Sequence, residues 1–221
     1  LLQYFKRFGI RATFATVGFV FFKTKKELLT QIPELIPQYN NLNLSPYGDY
    51  INSKVGNDAL EDPYHFAPDL IELIKNTPNQ EIASHTFSHF YCLEKGQSCQ
   101  EFESDLKSFI EVAQSRNLEI HSIIFPRNQI NENYLKTCSH LSIKSYRSSE
   151  QSWVYESRSL NEESHLRRFI RLLDAYINIT GHHCYDDVYM NKKFIADIPS
   201  SRFLRPYSPT LKYFEKLRLK R

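Results

Sequence analysis

Apolar positions recur along the chain with two alternating periods. Leu1, Leu2, Tyr4, Phe5 and Phe8 are spaced as one face of a helix, and Gly9 follows where a helix C-cap glycine belongs. Ile10 to Val17 is a mostly apolar run rich in Phe, Thr and Val, closed by Gly18, which is the pattern of a buried strand. Thr24 with Glu27 three residues later spells a capping box and predicts a helix that Pro33 and Pro37 end. From Tyr39 to Pro63 the chain is rich in Asn, Pro, Gly and Asp, which predicts a long irregular excursion. Connections of that length are functional or mobile as a rule.

The alternation then resumes. Residues 68–75 predict a short helix with Leu70, Leu73 and Ile74 on one face, and 81–84 a short strand. Residues 99–116 predict a long helix striped by Phe102, Leu106, Phe109, Ile110 and Ala113. Further strands are predicted at 122–125 and 142–146, with helices at 131–138, at 162–173 after the N-cap candidate Asn161, and at 208–220. Strands that alternate with helices in this way indicate a mostly parallel α/β sheet, and the absence of repeats or Gly/Ser linkers indicates one domain over residues 1–221. In such a layer the chemistry sits just past the C-terminal ends of the strands.

Composition narrows the class. With 41% hydrophobic and 24% charged residues the chain is an ordinary globular protein, which excludes disordered and fibrous classes. No apolar run approaches a membrane span, and the N-terminus lacks the charged, apolar and cleavage regions of a signal peptide, so a cytoplasmic location is expected. A net charge of +3 and a pI of 8.6 fall short of a nucleic-acid footprint, and no nucleic-acid partner is expected. The basic excess from Arg202 to Arg221 reads as a solvated helix face. Cys92, Cys99, Cys138 and Cys184 show no C-x-x-C spacing and read as reduced, structural thiols.

Directly after the strand at 81–84 comes His85-Thr86-Phe87-Ser88-His89. Two imidazoles four apart fall on one face of a helical turn, where both can reach one metal ion. Two unrelated surface or core histidines are the alternative. With Thr86 where a zinc protease motif has its glutamate, the H-E-x-x-H chemistry is excluded.

Gly9-Ile10-Arg11-Ala12-Thr13-Phe14, followed by Glu81-Ile82-Ala83-Ser84 and the His85–His89 segment, resembles the polysaccharide deacetylases, the NodB-like carbohydrate esterases. Phe125-Pro126-Arg127-Asn128-Gln129, Ser145-Tyr146-Arg147 and Ser201-Arg202-Phe203-Leu204-Arg205-Pro206 look like a subgroup found with surface-polysaccharide genes. The resemblance covers most of the chain. It implies a distorted, incomplete (β/α) barrel of mostly parallel strands. The implied reaction is metal-dependent hydrolysis of a sugar N-acetyl group, on a nucleotide-linked, lipid-linked or polymeric amino sugar. His85 and His89 would ligate a divalent ion, zinc first with cobalt or manganese as substitutes, which supplies an activated water. Arg127 would be a catalytic group that orients a carboxylate by charge pairing, or else a loop arginine capping a strand end. Thr86, Arg147 and Trp153 would line the substrate, with Thr86 also bracing its loop; Trp153 is a stacking platform for a sugar ring or a packing anchor.

The family pattern also has an aspartate pair ahead of a segment like Gly9–Phe14 and a late histidine after a helix like 208–220. Here no Asp occurs before Asp49. The expectation is a domain lacking the first and last catalytic strands, with poor metal occupancy and weak or absent activity. Its non-enzymatic alternative is a sugar-binding or scaffold module on the same barrel. His182 and His183 are adjacent and are expected to bond or pack locally, while Asp186 and Asp187 are the carboxylates available to substitute.

Overall fold

A computed structural model describes residues 1–159, 162–185 and 194–220. Its five strands are β1 (Ala12–Thr16), β2 (Gln80–Ser84), β3 (Ser122–Ile124), β4 (Ser145–Ser148) and β5 (Ala196–Pro199). They lie side by side in chain order and every adjacent pair is parallel. The helices are α1 (Leu2–Phe8), α2 (Lys25–Leu29), α3 (Asp49–Ser53), α4 (Pro68–Lys75), α5 (Cys99–Ser115), α6 (Leu135–His140), α7 (His165–Asp174) and α8 (Glu215–Lys220). A parallel order without reversal has no switch point of the doubly wound kind and is the topology of a partial (β/α) barrel.

The two faces of the sheet differ because side chains alternate along each strand. Phe14 pairs with Ile82, and Ile123 pairs with Tyr146, so these share one face and join the hydrophobic core. Helices α4 and α5 cover that face, with Phe102, Leu106 and Phe109 of α5 fully buried. The opposite face carries Thr13, Glu81 and Arg147, all exposed. There the Glu81 carboxylate accepts the Thr13 hydroxyl at 2.6 Å and the Ser122 hydroxyl at 2.6 Å, so one acidic side chain ties β1, β2 and β3 together.

Local signals explain most element ends. Gly9 caps α1 at φ 62, the left-handed conformation its lack of Cβ permits. Ser98 and Glu101 form the reciprocal capping box that starts α5. Several boundaries move from the sequence expectation. Helix α2 stops at Leu29, ahead of both prolines, and Thr30 returns its hydroxyl to the Glu27 carbonyl at 2.7 Å. The excursion at 39–63 contains α3. Ser142 is left-handed at φ 66 and Ile143 is a core residue, so β4 begins only at Ser145. Ser164, not Asn161, caps α7, its hydroxyl accepting from the Arg167 N–H at 3.3 Å; Asn161 lies outside the described residues. A 3-10 turn precedes α6 at Glu132–Tyr134 and α8 at Pro209–Phe214. The short β5, Ala-Asp-Ile-Pro, has too little alternation to announce itself.

Candidate functional site

The site is built on the loop that leaves β2. The His85 N–H still donates to the Thr16 carbonyl at 2.8 Å, which carries the β1–β2 pairing one residue past the strand. Thr86 then turns left-handed at φ 64, an uncommon conformation for a β-branched residue. Its side chain is fully buried, and Oγ1 accepts the Phe90 N–H at 2.7 Å. This closes the loop over itself and brings His89, also left-handed at φ 62, back beside His85. The two rings sit edge to face with centroids 4.9 Å apart.

Two further contacts fix this loop. Asp105 of α5 is fully buried, and its carboxylate accepts the Phe87 N–H at 2.7 Å, the Ser88 N–H at 3.2 Å and the Ser88 hydroxyl. Burial pushes the Asp105 carboxyl up to about 6, although the Ser88 hydroxyl and the Phe87 and Ser88 amides all favour its charged form. On the other side the Gly18 N–H donates to the Thr86 and Phe87 carbonyls, and a Cβ on Gly18 would stand 2.3 Å from the Phe87 ring. Only glycine fits so close to that backbone.

His85 Nδ1 lies 2.6 Å from the Ile124 carbonyl. A carbonyl only accepts, so Nδ1 carries the proton and Nε2 keeps its lone pair. Burial lowers the His85 pKa below the ordinary imidazole value; the Ile124 carbonyl opposes this and the Arg147 charge adds to it. Burial also lowers His89, with His85 and Arg127 contributing, to about 4. Both rings are therefore neutral at pH 7.

Two arginines flank the pair. Arg127, in the turn after β3, stacks its guanidinium over Tyr91 at 4.4 Å, and Tyr91 meets His89 edge on at 5.0 Å. Arg147, at the end of β4, donates to Asn128 Oδ1 at 3.1 Å. Arg127 and Asn128 are themselves left-handed, at φ 54 and φ 53. Strained backbone of this kind persists where surrounding structure over-determines it, and here it concentrates in the two loops that meet at the histidines.

Beside His89 opens a cleft of about 360 Å³ walled by Phe19, Tyr50, Tyr64, Tyr91 and Arg127. The excursion at 39–63, with Tyr64 and His65 just after it, supplies one wall, including a chain of hydrogen bonds. Asp62 Oδ2 accepts from His65 Nδ1 at 2.7 Å, and His65 Nε2 meets the Tyr50 hydroxyl at 3.1 Å. Burial works to raise the Asp62 pKa, yet the Gly56 amide and His65 outweigh it and hold the carboxyl below its usual value.

In kind, two neutral imidazoles suit a divalent metal. In number they fall short, since catalytic zinc takes three protein ligands. No group of three His, Cys, Asp or Glu side chains converges among the described residues. The described residues by themselves therefore do not make a complete catalytic metal centre.

The structure brings His85, His89, Arg127 and Arg147 together at the C-terminal ends of β2, β3 and β4. Thr86 lies beneath them, closed off from solvent. Trp153 stands apart, 60% exposed, with its carbonyl accepting from Arg167 Nη2 at 2.6 Å. His182 bonds to Asn178 at 3.1 Å and His183 to Thr180 at 2.9 Å. Asp186 and Asp187 lie outside the described residues.

Sequence reading missed Asp105, whose signal was a carboxylate set inside the apolar stripe of α5. It also missed Tyr50, Asp62 and His65, which carry only a D-x-x-H spacing inside an irregular stretch.

No family model and no curated protein matches the chain. Among solved structures, a CE4 family pseudoenzyme from Bacillus anthracis is similar over 73% of this chain, at 12% identity and a TM-score of 0.35. The chain spans 46% of that protein's length.

Proposed function

We propose that this chain is a carbohydrate-binding module of the polysaccharide deacetylase type, on a partial (β/α) barrel, with little or no N-deacetylase activity of its own. One observation carries this reading. His85 and His89 converge at the strand ends beside an aromatic cleft, and the charged groups that act on them among the described residues are the cations Arg127 and Arg147, with no third His, Cys, Asp or Glu converging there. Two cations beside the pair disfavour a bound cation by simple repulsion. The aromatic walls suit the apolar face of a sugar ring.

The second reading is a metal-dependent N-deacetylase whose centre takes further donors beyond those described. The fixed tautomer of His85 favours it, since a ring anchored through Nδ1 with Nε2 free is the usual arrangement of a metal-ligating imidazole. Elemental analysis after dialysis against Zn²⁺ separates the two. The module reading expects well under one equivalent of metal, no deacetylation of N-acetylglucosamine oligomers, and measurable binding of those oligomers. One equivalent of zinc, lost in His85→Ala, together with turnover would replace it with the enzyme.

A further inference from the structure

A second pocket of about 580 Å³ adjoins the histidine cleft at the C-terminal ends of β4 and β5, and Arg127 lines both. Among the described residues its lining holds seven arginines, three glutamates and no lysine. Two arginines are neutralised within the lining, Arg158 by Glu156 at 2.9 Å and Arg171 by Glu163 at 2.7 Å. The others are not all accounted for in this way. Arg127, Arg147 and Arg168 have no carboxylate partner among the described residues, and Arg205 Nε is buried with no hydrogen-bond partner among them.

Unpaired cations gathered in one concavity repel each other, and a protein that holds them there is stabilised by an anion. The use of arginine among the described lining residues is informative, because its planar fork matches phosphate oxygens in pairs while lysine acts as a point charge. Arg127, Arg147, Arg168 and Arg205, none with a carboxylate partner among the described residues, outweigh one sugar carboxylate and suit two linked phosphoryl groups. A single open concavity also differs from the extended basic stripe that tracks a nucleic-acid backbone.

We propose that this pocket binds the diphosphate of a diphosphate-linked sugar, with Arg147, Arg168 and Arg205 as donors and Arg127 at the passage into the histidine cleft. The anion site stands on the pocket alone; placing the sugar in the neighbouring cleft rests on the carbohydrate reading above.

Titration calorimetry of the full chain with inorganic pyrophosphate tests it. Saturable binding is expected, weakened about tenfold or more in Arg147→Gln and in Arg168→Gln, since each removes charge-assisted hydrogen bonds. Both side chains reach solvent, and unchanged thermal unfolding verifies that the variants fold. Absence of saturable binding, or equal affinity in both variants and the parent, overturns the proposal. Two further arms identify the source. UDP-N-acetylglucosamine or a polyprenyl-diphosphate N-acetylglucosamine in micelles should bind more tightly than pyrophosphate, and the tighter of them names the carrier; if neither does, the linked-sugar assignment fails. N-acetylglucosamine oligomers without phosphate test the carbohydrate reading separately. Their failure to bind removes that reading and leaves the pyrophosphate result intact.

Discussion

Asp105, in the middle of helix α5, holds the backbone of Phe87 and Ser88 through hydrogen bonds that end three residues or fewer from both His85 and His89. The carboxylate does for this loop what a strand neighbour does for a ladder. It satisfies amides that are buried and have no other partner.

Replacing Asp105 should therefore loosen the fold and the loop together. Asp105→Ala leaves two amides and a hydroxyl buried without an acceptor, and at about 1–3 kcal/mol for such a group the loss should be at least 3 kcal/mol at pH 7. Urea unfolding measures it. A loss under 1 kcal/mol would mean the loop holds itself.

The same residue predicts a pH dependence. Its folded pKa of about 6 lies above the unfolded carboxyl value, so the folded state takes up a proton first. The proton-linked part of its contribution to stability is fully present below about pH 4 and is lost as pH rises through about 6, while its hydrogen bonds to residues 87 and 88 remain. The stability of the parent relative to Asp105→Asn should fall by about 2 kcal/mol between pH 4 and pH 7. A flat difference across that window, or one that rises with pH, contradicts the assignment.

Asp62 should show the opposite sign. Its carboxyl is held below the unfolded value, so its contribution is present above about pH 4 and lost as pH falls through the lower folded value. Asp62→Asn should flatten the acid limb of the stability curve, and it should free Tyr50 by releasing His65. Acid titration followed by circular dichroism, with Tyr50→Phe as a control that leaves the limb unchanged, checks this.

Gly18 offers a steric test. A methyl group there overlaps the Phe87 ring and stands 3.0 Å from the Phe87 Cα. Gly18→Ala should cost about 1–3 kcal/mol as an overpacked site. It should also change the chemical shifts of the His85 and His89 ring protons in NMR spectra. A neutral substitution with unmoved histidine signals would show that the loop has slack.

Thr86 separates its hydroxyl from its shape. Thr86→Val keeps the volume and removes the acceptor for the Phe90 N–H, for an expected loss of about 1–3 kcal/mol. Thr86→Ser keeps the acceptor and should recover most of it, and thermal unfolding of the pair decides.

Much of the sheet was legible because βα units write their periods plainly. The stripe of α5 and the apolar run before Gly18 placed α5 and β1 to within a few residues. The histidine pair was legible because it follows a strand directly. The rest depended on contacts between distant segments. Nothing local reveals that Asp105 reaches back to residues 87 and 88, or that the excursion at 39–63 folds beside His89. The arginines of the second pocket come from five separate stretches between 127 and 205, and only the strand order gathers them.

The strand order has a last consequence at its two borders. Among the described residues β1 and β5 each have one neighbour, and they are not equally protected. Strand β5 carries Asp197 and ends at Pro199, both of which discourage another strand from docking. Strand β1, Ala-Thr-Phe-Ala-Thr, has no charge and no proline, so its outward row of amides and carbonyls is a template for self-association. Association through the β1 edge should rise with concentration, and a lysine at an outward position of that strand is the change that would suppress it.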